Sequence, residues 1–153
     1  MAQELSPGDV NHLVIQVTRQ HFTRLHTLME EIGLYRGQPP MLHMLWKGEG
    51  CTQSDLAAHL HVQPATITKM LQRMEHAGFI ERRPDPEDQR VSRVYLTAAG
   101  RNIEDAVRQR ERQAGEELLM GFSPEEQQVL VQFLTRLRDN LLKVNTDAVK
   151  CER

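Results

Sequence analysis

The sequence lacks the features that mark several classes of protein. Its two cysteines, Cys51 and Cys151, stand a hundred positions apart, and neither has a second cysteine or a histidine nearby at zinc-finger spacing. This usage predicts a reducing compartment and no disulfide framework. No apolar run approaches the ~20 residues that a membrane span needs, and no apolar signal core follows Met1–Leu5. We therefore expect a cytoplasmic protein with no membrane partner.

Motifs for catalysis and for metal binding are also absent. The sequence contains no Gly-rich phosphate loop, nucleophile elbow or metalloprotease motif, and its carboxylates are scattered over amphipathic segments. Its seven histidines lack the four-residue step that puts two imidazoles on one helix face; they stand at positions 12, 21, 26, 43, 59, 61 and 76. We therefore expect that the protein is not an enzyme and that it holds no cofactor and no metal ion.

Net charge gives little direction, since 19 basic side chains face 21 acidic ones and the formal net charge is −2. A local asymmetry does exist. Residues 63–101 carry 7 basic and 5 acidic side chains, whereas residues 1–62 carry 4 and 6 and residues 102–153 carry 8 and 10. Any attraction to nucleic acid must therefore come from the middle third of the chain.

Helical periodicity dominates the first part of the chain. Apolar residues recur at three- and four-residue steps from Asp9 to Ile32, and the next segment, Gln38–Lys47, predicts a shorter helix with prolines at its start. Thr52 and Asp55 then form a Thr-x-x-Asp capping box. This box predicts that a third helix begins here.

A second short helix and a hairpin follow. Pro64 opens a helix that runs to about Ala77, three or four residues after the previous helix, which is the helix-turn-helix plan. The period then changes: Phe79–Arg83 and Arg90–Leu96 predict two strands, with a Pro-rich loop between them as the hairpin tip. A hairpin directly after the second helix of such a pair is a wing.

Two long helices are predicted at the end of the chain. Thr97 caps the first, which runs to about Met120, and the second begins at Ser123 with a cap, a first-turn proline and an acid at the third position. The last helix carries a wide apolar stripe formed by Leu130, Phe133, Leu134, Leu137, Leu141 and Val144. In so small a domain, this stripe predicts burial against a second chain.

The run from Gly50 to Gly100 resembles the winged-helix domain of the MarR family of transcriptional regulators, named for multiple antibiotic resistance. The matching pieces are TQSDLAAHLHVQPATITKMLQRMEHAGFIERR, then Asp88-x-Arg90, then VYLTAAG from Val94. The resemblance implies a homodimer, joined through the first helix and the last two, that binds a near-palindromic operator of double-stranded DNA and usually represses transcription.

The predicted fold class is mainly α with a small β-hairpin: a winged helix-turn-helix domain plus long N- and C-terminal dimerisation helices. We expect one unit over 1–153. Its predicted parts are the winged helix-turn-helix DNA-binding region 34–100, with the helix-turn-helix at about 52–77 and the wing at about 79–97, and the dimerisation helices 6–33 and 101–148.

The helix after Pro64 is expected to lie in the major groove. With an apolar stripe turned inward, Thr66, Lys69 and Arg73 share the outer face, so the two cations are expected on phosphates or guanine edges. The residues expected at the DNA from the start of this helix are Gln63, Pro64, Ala65, Thr66 and Thr68. Ser54, in the preceding helix, is expected to hold a phosphate. The alternative is an ordinary solvated helix face.

The acidic wing tip, PDPEDQRVSR, raises a question of its own, because acids repel phosphates. Asp88 lies two residues from Arg90, close enough to hold its guanidinium in one direction for a narrow minor groove, and the family resemblance assigns the pair that role. Arg93 is expected behind Arg90, near the DNA backbone. Asp85 and Glu87 receive no role and are expected to be solvent-exposed.

Regulation is the least determined property. The resemblance implies a small aromatic or phenolic effector bound between the dimerisation helices and the winged domain. The residues that suit such a crevice are His12, Tyr35, Met41, Met44 and Trp46, and they equally suit plain core. Cys51 is either a redox sensor or part of a hydrophobic staple with Leu56. Two further alternatives are a protein-interaction module and a metal- or redox-responsive regulator of the same fold.

Overall fold

The computed structural model describes residues 6–151, with side chains described over 6–145. The described chain is mainly helical with one small sheet, which confirms the predicted fold class. Its elements follow in the order α1 (Pro7–Glu30), α2 (Gln38–Lys47), β1 (Cys51–Thr52), α3 (Gln53–Leu60), α4 (Pro64–His76), β2 (Ile80–Pro84), β3 (Ser92–Leu96), α5 (Ala98–Asn102), α6 (Glu104–Leu118) and α7 (Pro124–Cys151). By its internal contacts the chain forms two compact units, Met1–Ala114 and Gly115–Arg153.

Local capping explains where α3 and α7 begin. The Thr52 hydroxyl accepts a hydrogen bond from the Asp55 N–H at 3.2 Å, and the Asp55 carboxylate accepts one from the Thr52 N–H at 3.0 Å. Ser123 and Glu126 make the same exchange before α7, at 3.3 and 2.8 Å. Both predicted caps are confirmed, and each contributes about 1 kcal/mol to helix stability.

The helix predicted from Thr97 to about Met120 is divided at Ile103 into α5 and α6, and α6 ends at Leu118. The division is one residue long, because Ile103 keeps right-handed helical angles (φ −78°, ψ −10°). The earlier end has a local cause: Gly121 takes a φ of +86°, the left-handed conformation with which many helices terminate.

The wing is a three-stranded antiparallel sheet in the order β1-β3-β2, whereas the sequence predicts a two-stranded hairpin. β2 pairs with β3 along its full length. Cys51 and Thr52 of β1 lie opposite Val94 and Arg93 on the other edge of β3. A strand of two residues is too short to show an alternating pattern, so its own sequence does not reveal it.

One apolar core joins the helix-turn-helix to α2 and the sheet. From α4 it receives Ile67, Leu71 and Met74, which are fully buried as predicted, while Met70 is half-buried at its edge. Leu56 of α3 is also fully buried. Full burial of a side chain of this size contributes about 2 kcal/mol. The inner face of α4 is thereby fixed, and its opposite face is left to solvent.

Two helices keep apolar side chains at the surface of the single chain. On α1 these are 44 to 63% exposed; they include Val10, Leu13, Val14, Val17 and Phe22. On α7 they are 42 to 66% exposed; they include Phe133, Leu134, Leu137, Leu141 and Val144. Neither helix, nor any other in the described part of the chain, is both long and apolar enough to cross a membrane.

Candidate nucleic-acid interface

The solvent face of α4 is polar and cationic. Of the residues predicted to meet DNA from this helix, six are exposed: Gln63, Pro64, Ala65, Thr66, Lys69 and Arg73. Lys69 and Arg73 are four residues apart and therefore lie on the same side of the helix. The acid of α4, Glu75, is paired with Arg82 of β2 at 2.6 Å, so its charge is already matched within the fold.

Gln63 is the N-cap of α4 and differs from Thr52, the N-cap of the preceding helix. Its backbone carbonyl accepts hydrogen bonds from the N–H groups of Thr66 (2.9 Å) and Ile67 (3.1 Å), but its side chain makes no capping hydrogen bond. Thr52, at the start of α3, uses its hydroxyl for the cap instead. The exposed Gln63 amide is therefore available to an external partner with a donor and an acceptor.

Thr68 has a different place from its predicted one near the bases. It is half-buried: its hydroxyl donates to the Pro64 carbonyl at 2.8 Å and accepts from the Gln53 side-chain amide at 2.7 Å. These bonds direct Thr68 toward α3. Because the partner lies fifteen positions away, helical spacing alone does not reveal that this residue joins the two helices of the motif.

The turn between α3 and α4 brings Ser54 beside the start of the second helix. His61 takes a left-handed conformation (φ +52°) that ends α3. A surface cavity of about 380 Å³ lies between the helices and is lined in part by Ser54, His61 and Pro64. Ser54 itself is exposed in the first turn of α3, as the phosphate-binding prediction requires.

Arg90 projects from the wing tip with 95% of its side chain exposed. Its backbone N–H donates to the Asp88 carboxylate at 3.0 Å, and its Nε lies 3.6 Å from the same oxygen. The Asp88 contact thus acts mainly on the backbone of Arg90, with a longer contact to the guanidinium. The structure brings the predicted pair together.

Asp85 was expected at the surface, but only 6% of it is exposed. Both of its carboxylate oxygens have partners within the wing. Its carboxylate accepts the N–H groups of Glu87 at 2.7 Å and Asp88 at 3.1 Å, and it is paired with the Arg93 guanidinium. The expectation of solvent exposure was wrong because the wing loop folds back over this side chain. The Arg93 Nη1 also donates to the Gly50 carbonyl at 2.8 Å, and the predicted place of Arg93 near the DNA backbone stays a prediction.

These contacts lower the pKa of Asp85 below its ordinary value of 3.8, chiefly through the hydrogen bond from Arg93 and then through the two backbone N–H groups. A carboxyl whose pKa is lower in the folded state than in the unfolded chain stabilises the fold at pH values above its ordinary pKa. That contribution is lost as the pH falls through the folded-state pKa. Asp85 is therefore ionised at neutral pH, and its carboxylate holds the wing loop through all of these hydrogen bonds.

The ion pair between Glu75 and Arg82 connects the wing to α4, and it was not predicted from the sequence. Arg82 of β2 donates to the Glu75 carboxylate through Nε (3.0 Å) and Nη2 (2.6 Å). The two residues are seven positions apart across the turn at Gly78. Both hydrogen bonds end on one carboxylate oxygen, Oε2 of Glu75, so the pair is a charge-assisted contact that links the wing to α4.

The five residues predicted for an effector crevice lie in different surroundings. His12 is exposed on α1, and Tyr35 lines a surface cavity of about 590 Å³ together with Lys69 and Arg73. Met41 is fully buried in the core and Met44 packs against it. Trp46 is half-buried, and its indole N–H donates to the Gly100 carbonyl at 2.9 Å. The methionines and the tryptophan are engaged in packing, and the effector site stays a prediction.

Cys51 lies where the staple interpretation puts it. It is half-buried against the core that contains Leu56, and its thiol donates to the Gly48 carbonyl at 3.3 Å. The Cys151 side chain lies outside the described residues. Within the described part of the chain, no three His, Cys, Asp or Glu side chains come together as metal ligands.

The similarities to known proteins point the same way as this geometry. The model of the MarR family matches residues 34–92. The uncharacterized HTH-type transcriptional regulator YdgJ of Bacillus subtilis is 34% identical over 110 residues, which are 71% of this chain and 66% of YdgJ. The transcriptional regulator AdcR of Streptococcus pneumoniae is 30% identical over 131 residues, 84% of this chain and 89% of AdcR.

A solved structure extends the likeness to the fold. The reduced form of MarR from Escherichia coli is 25% identical and matches with a TM-score of 0.77 over 88% of this chain and 98% of that one. Its match and the sequence relatives span the helix-turn-helix and the wing described above. The chain belongs to the MarR family and is a DNA-binding transcriptional regulator, not an enzyme, with a winged helix-turn-helix fold.

Proposed function

We propose that this regulator binds, as a homodimer, a near-palindromic operator, with α4 in the major groove and Arg90 of the wing in the minor groove. The observation that carries the proposal is the exposed cationic face of α4 beside an arginine that projects 95% exposed from the wing tip. Cations on α4 neutralise phosphates or bind guanine edges, and a projecting arginine suits a narrow minor groove. Ser54 would hold a phosphate at the start of α3.

Selection of bound duplexes from a random DNA pool tests the proposal. The expected product is a palindrome whose half-sites are centred about one helical turn (~10 bp) apart or a near multiple. Affinity for that duplex is then measured at two salt concentrations and is expected to fall steeply with salt, because each phosphate contact releases counterions. Binding that ignored both sequence and salt would contradict the proposal and favour a protein-interaction module.

The homodimer is supported by the apolar faces of α1 and α7. Surface apolar residues are common singly, but contiguous rows of them on a monomer mark an interaction site. On α7 the exposed Leu134, Leu137 and Leu141 recur at three- and four-residue steps and form one stripe along the helix. A second copy of the chain would bury such a stripe and place two copies of α4 on one operator.

Changing Leu137 and Leu141 together to glutamate is expected to convert the dimer into monomers, because each substitution places a charge in the apolar interface. The mass in solution, measured by sedimentation equilibrium, reports the result. Gln132→Glu, an exposed polar position of the same helix, is the matched control and should leave the mass unchanged. A double variant that stays dimeric would show that α7 is not the dimer interface.

Asp88→Ala is expected to weaken operator binding about fivefold, the equivalent of one hydrogen bond of ~1 kcal/mol. The substitution removes the bond that holds the Arg90 backbone N–H, while its exposed contact with the guanidinium adds little. Titration of the selected duplex measures the change. Removal of a repulsive acid predicts the opposite sign, so tighter binding by Asp88→Ala would refute the aiming role.

Repression completes the proposal. A dimer seated on an operator within a promoter excludes RNA polymerase, and the resemblance to the family implies release by a small aromatic or phenolic molecule. Such a ligand would act by favouring a spacing of the two α4 helices that does not match the operator. A reporter gene placed behind the selected duplex tests the sign of regulation: expression should rise when the regulator is deleted.

A further inference from the structure

We propose that Asp85 is the positioning residue of the wing, and that its buried carboxylate fixes the loop from which Arg90 reaches the DNA. This inference rests on the proposed function, since it assigns a residue to the minor-groove contact. It also answers why an acid stands at the tip of a DNA-binding wing: its charge is used inside the loop and is not presented to phosphates.

The contacts of Asp85 define the shape of the loop. Its own N–H donates to the Val91 carbonyl at 2.8 Å, which closes the loop across the ends of β2 and β3. One carboxylate oxygen accepts the N–H groups of Glu87 and Asp88, while the other is paired with Arg93. One 6% exposed side chain therefore fixes two backbone N–H groups and one guanidinium.

A chain of hydrogen bonds runs from Asp85 to Arg90. Asp85 holds the N–H of Asp88, and the Asp88 carboxylate holds the N–H of Arg90 at 3.0 Å. The Arg90 side chain is almost fully exposed, so no packing around it restricts its direction. Where packing is absent, the direction of a side chain depends on the backbone that carries it. Asp85 determines that backbone through Asp88.

Arg93 anchors this loop to the helix-turn-helix. Its guanidinium is paired with Asp85 on one side and donates to the Gly50 carbonyl on the other, in the segment that leads into β1 and α3. The pair with Asp85 raises the pKa of Arg93, to which the nearby carboxylate of Asp55 in α3 also contributes. Wing tip and helix-turn-helix are thus connected through two side chains, and Arg93 serves the wing from within.

The test is a double-mutant cycle on the duplex selected from the random pool. Dissociation constants are measured for the full chain, for Asp85→Asn, for Arg90→Ala and for the double variant. Asp85→Asn keeps an oxygen for the two N–H groups and removes the charge that holds Arg93. We expect Arg90→Ala to weaken binding about tenfold or more, Asp85→Asn about fivefold, and the double variant no further than Arg90→Ala alone.

Two measurements separate positioning from a general effect on folding. Replacing A·T pairs under the wing by G·C should weaken the full chain but should matter much less for both Arg90→Ala and Asp85→Asn, because the minor-groove contact is already lost or misaimed. Glu87→Gln removes the same charge from the same loop at an exposed position. It should leave affinity unchanged or slightly higher.

Each outcome has a definite meaning. If Asp85→Asn weakens binding by the same factor with Arg90 present and with Arg90→Ala, Asp85 acts on the fold and not through Arg90, and the inference is overturned. Unchanged or tighter binding by Asp85→Asn overturns it as well. If Arg90→Ala itself leaves affinity unaltered, or selection enriches no duplex, the proposed function fails first and this inference with it.

Discussion

Replacing Lys69 and Arg73 together with alanine is expected to weaken binding to the selected operator by about a hundredfold, since each contact of this kind contributes ~1–3 kcal/mol. Both side chains are exposed on the same side of α4, so their loss would remove two cations from the proposed DNA-binding face. The slope of log affinity against log salt should fall by about 0.9 for each of the two residues that contacts a phosphate. Titrations at several salt concentrations measure both effects.

A control variant distinguishes a specific contact from a change in overall charge. Arg112 is an exposed cation of α6, outside the winged region. Arg112→Ala should change affinity less than about twofold, because Arg112 is not part of the proposed DNA-binding face and an exposed charge that makes no contact with DNA is largely screened at ordinary salt. The free energy of unfolding should change by less than about 0.5 kcal/mol in the Lys69 and Arg73 double variant, as is usual for surface positions. Full affinity in that variant would remove α4 from the interface.

Gly100→Ala is expected to lower the free energy of unfolding by about 3 kcal/mol, near the upper end of the overpacking range. A Cβ at Gly100 would lie 2.1 Å from the Phe79 carbonyl oxygen and 3.0 Å from a methyl group of Leu96. The Phe79 carbonyl cannot move away without cost, because it accepts the Thr97 N–H at 3.0 Å. Urea unfolding at one fixed protein concentration measures the change.

Gly115→Ala is the matched control for this substitution. Gly115 lies within α6, and a Cβ there meets nothing within 4 Å. Alanine is the better helix former, so this variant should be about 0.5–1 kcal/mol more stable than the natural chain. If the free energy of unfolding falls for Gly100→Ala and rises for Gly115→Ala, the lack of room for a Cβ, and not the loss of glycine as such, explains the result at Gly100. Equal stability of both variants would contradict the close approach seen at Gly100.

The segment that follows the wing, Leu96-Thr97-Ala98-Ala99-Gly100, is part of the resemblance to the MarR family. The resemblance alone does not explain why a threonine and a glycine stand at these positions. The structure supplies a reason for each end of this short motif. Thr97 caps α5 by accepting the N–H of Gly100 at 3.1 Å. Gly100 then passes so close to the end of α4 and the start of β2 that no side chain fits, and its carbonyl receives the indole N–H of Trp46.

Of the contacts made by the acids of the wing, one could be predicted from the sequence and one could not. Asp88 and Arg90 are two residues apart, and their pairing was predictable because a short span limits the arrangements of the loop. Asp85 and Arg93 are eight residues apart, on opposite sides of the wing loop. Nothing in their spacing indicates that the loop closes over the carboxylate, so Asp85 was expected in solvent and Arg93 at the DNA.

Three features could be predicted from the sequence because each depends on neighbours within about four residues: the capping boxes at Thr52 and Ser123, the inward stripe of α4 and the change of period at the wing. Helix caps and helical periodicity involve residues close together in the chain, so a short stretch of sequence is enough to recognise them. Which polar side chains already have a hydrogen-bond partner within the chain depends on long-range contacts in the folded protein. Thr68 is bonded to Gln53, Trp46 to Gly100, and Arg93 to Asp85 and Gly50. These partners are brought together by burial of the common core, and their separation along the chain carries no signal of the contact.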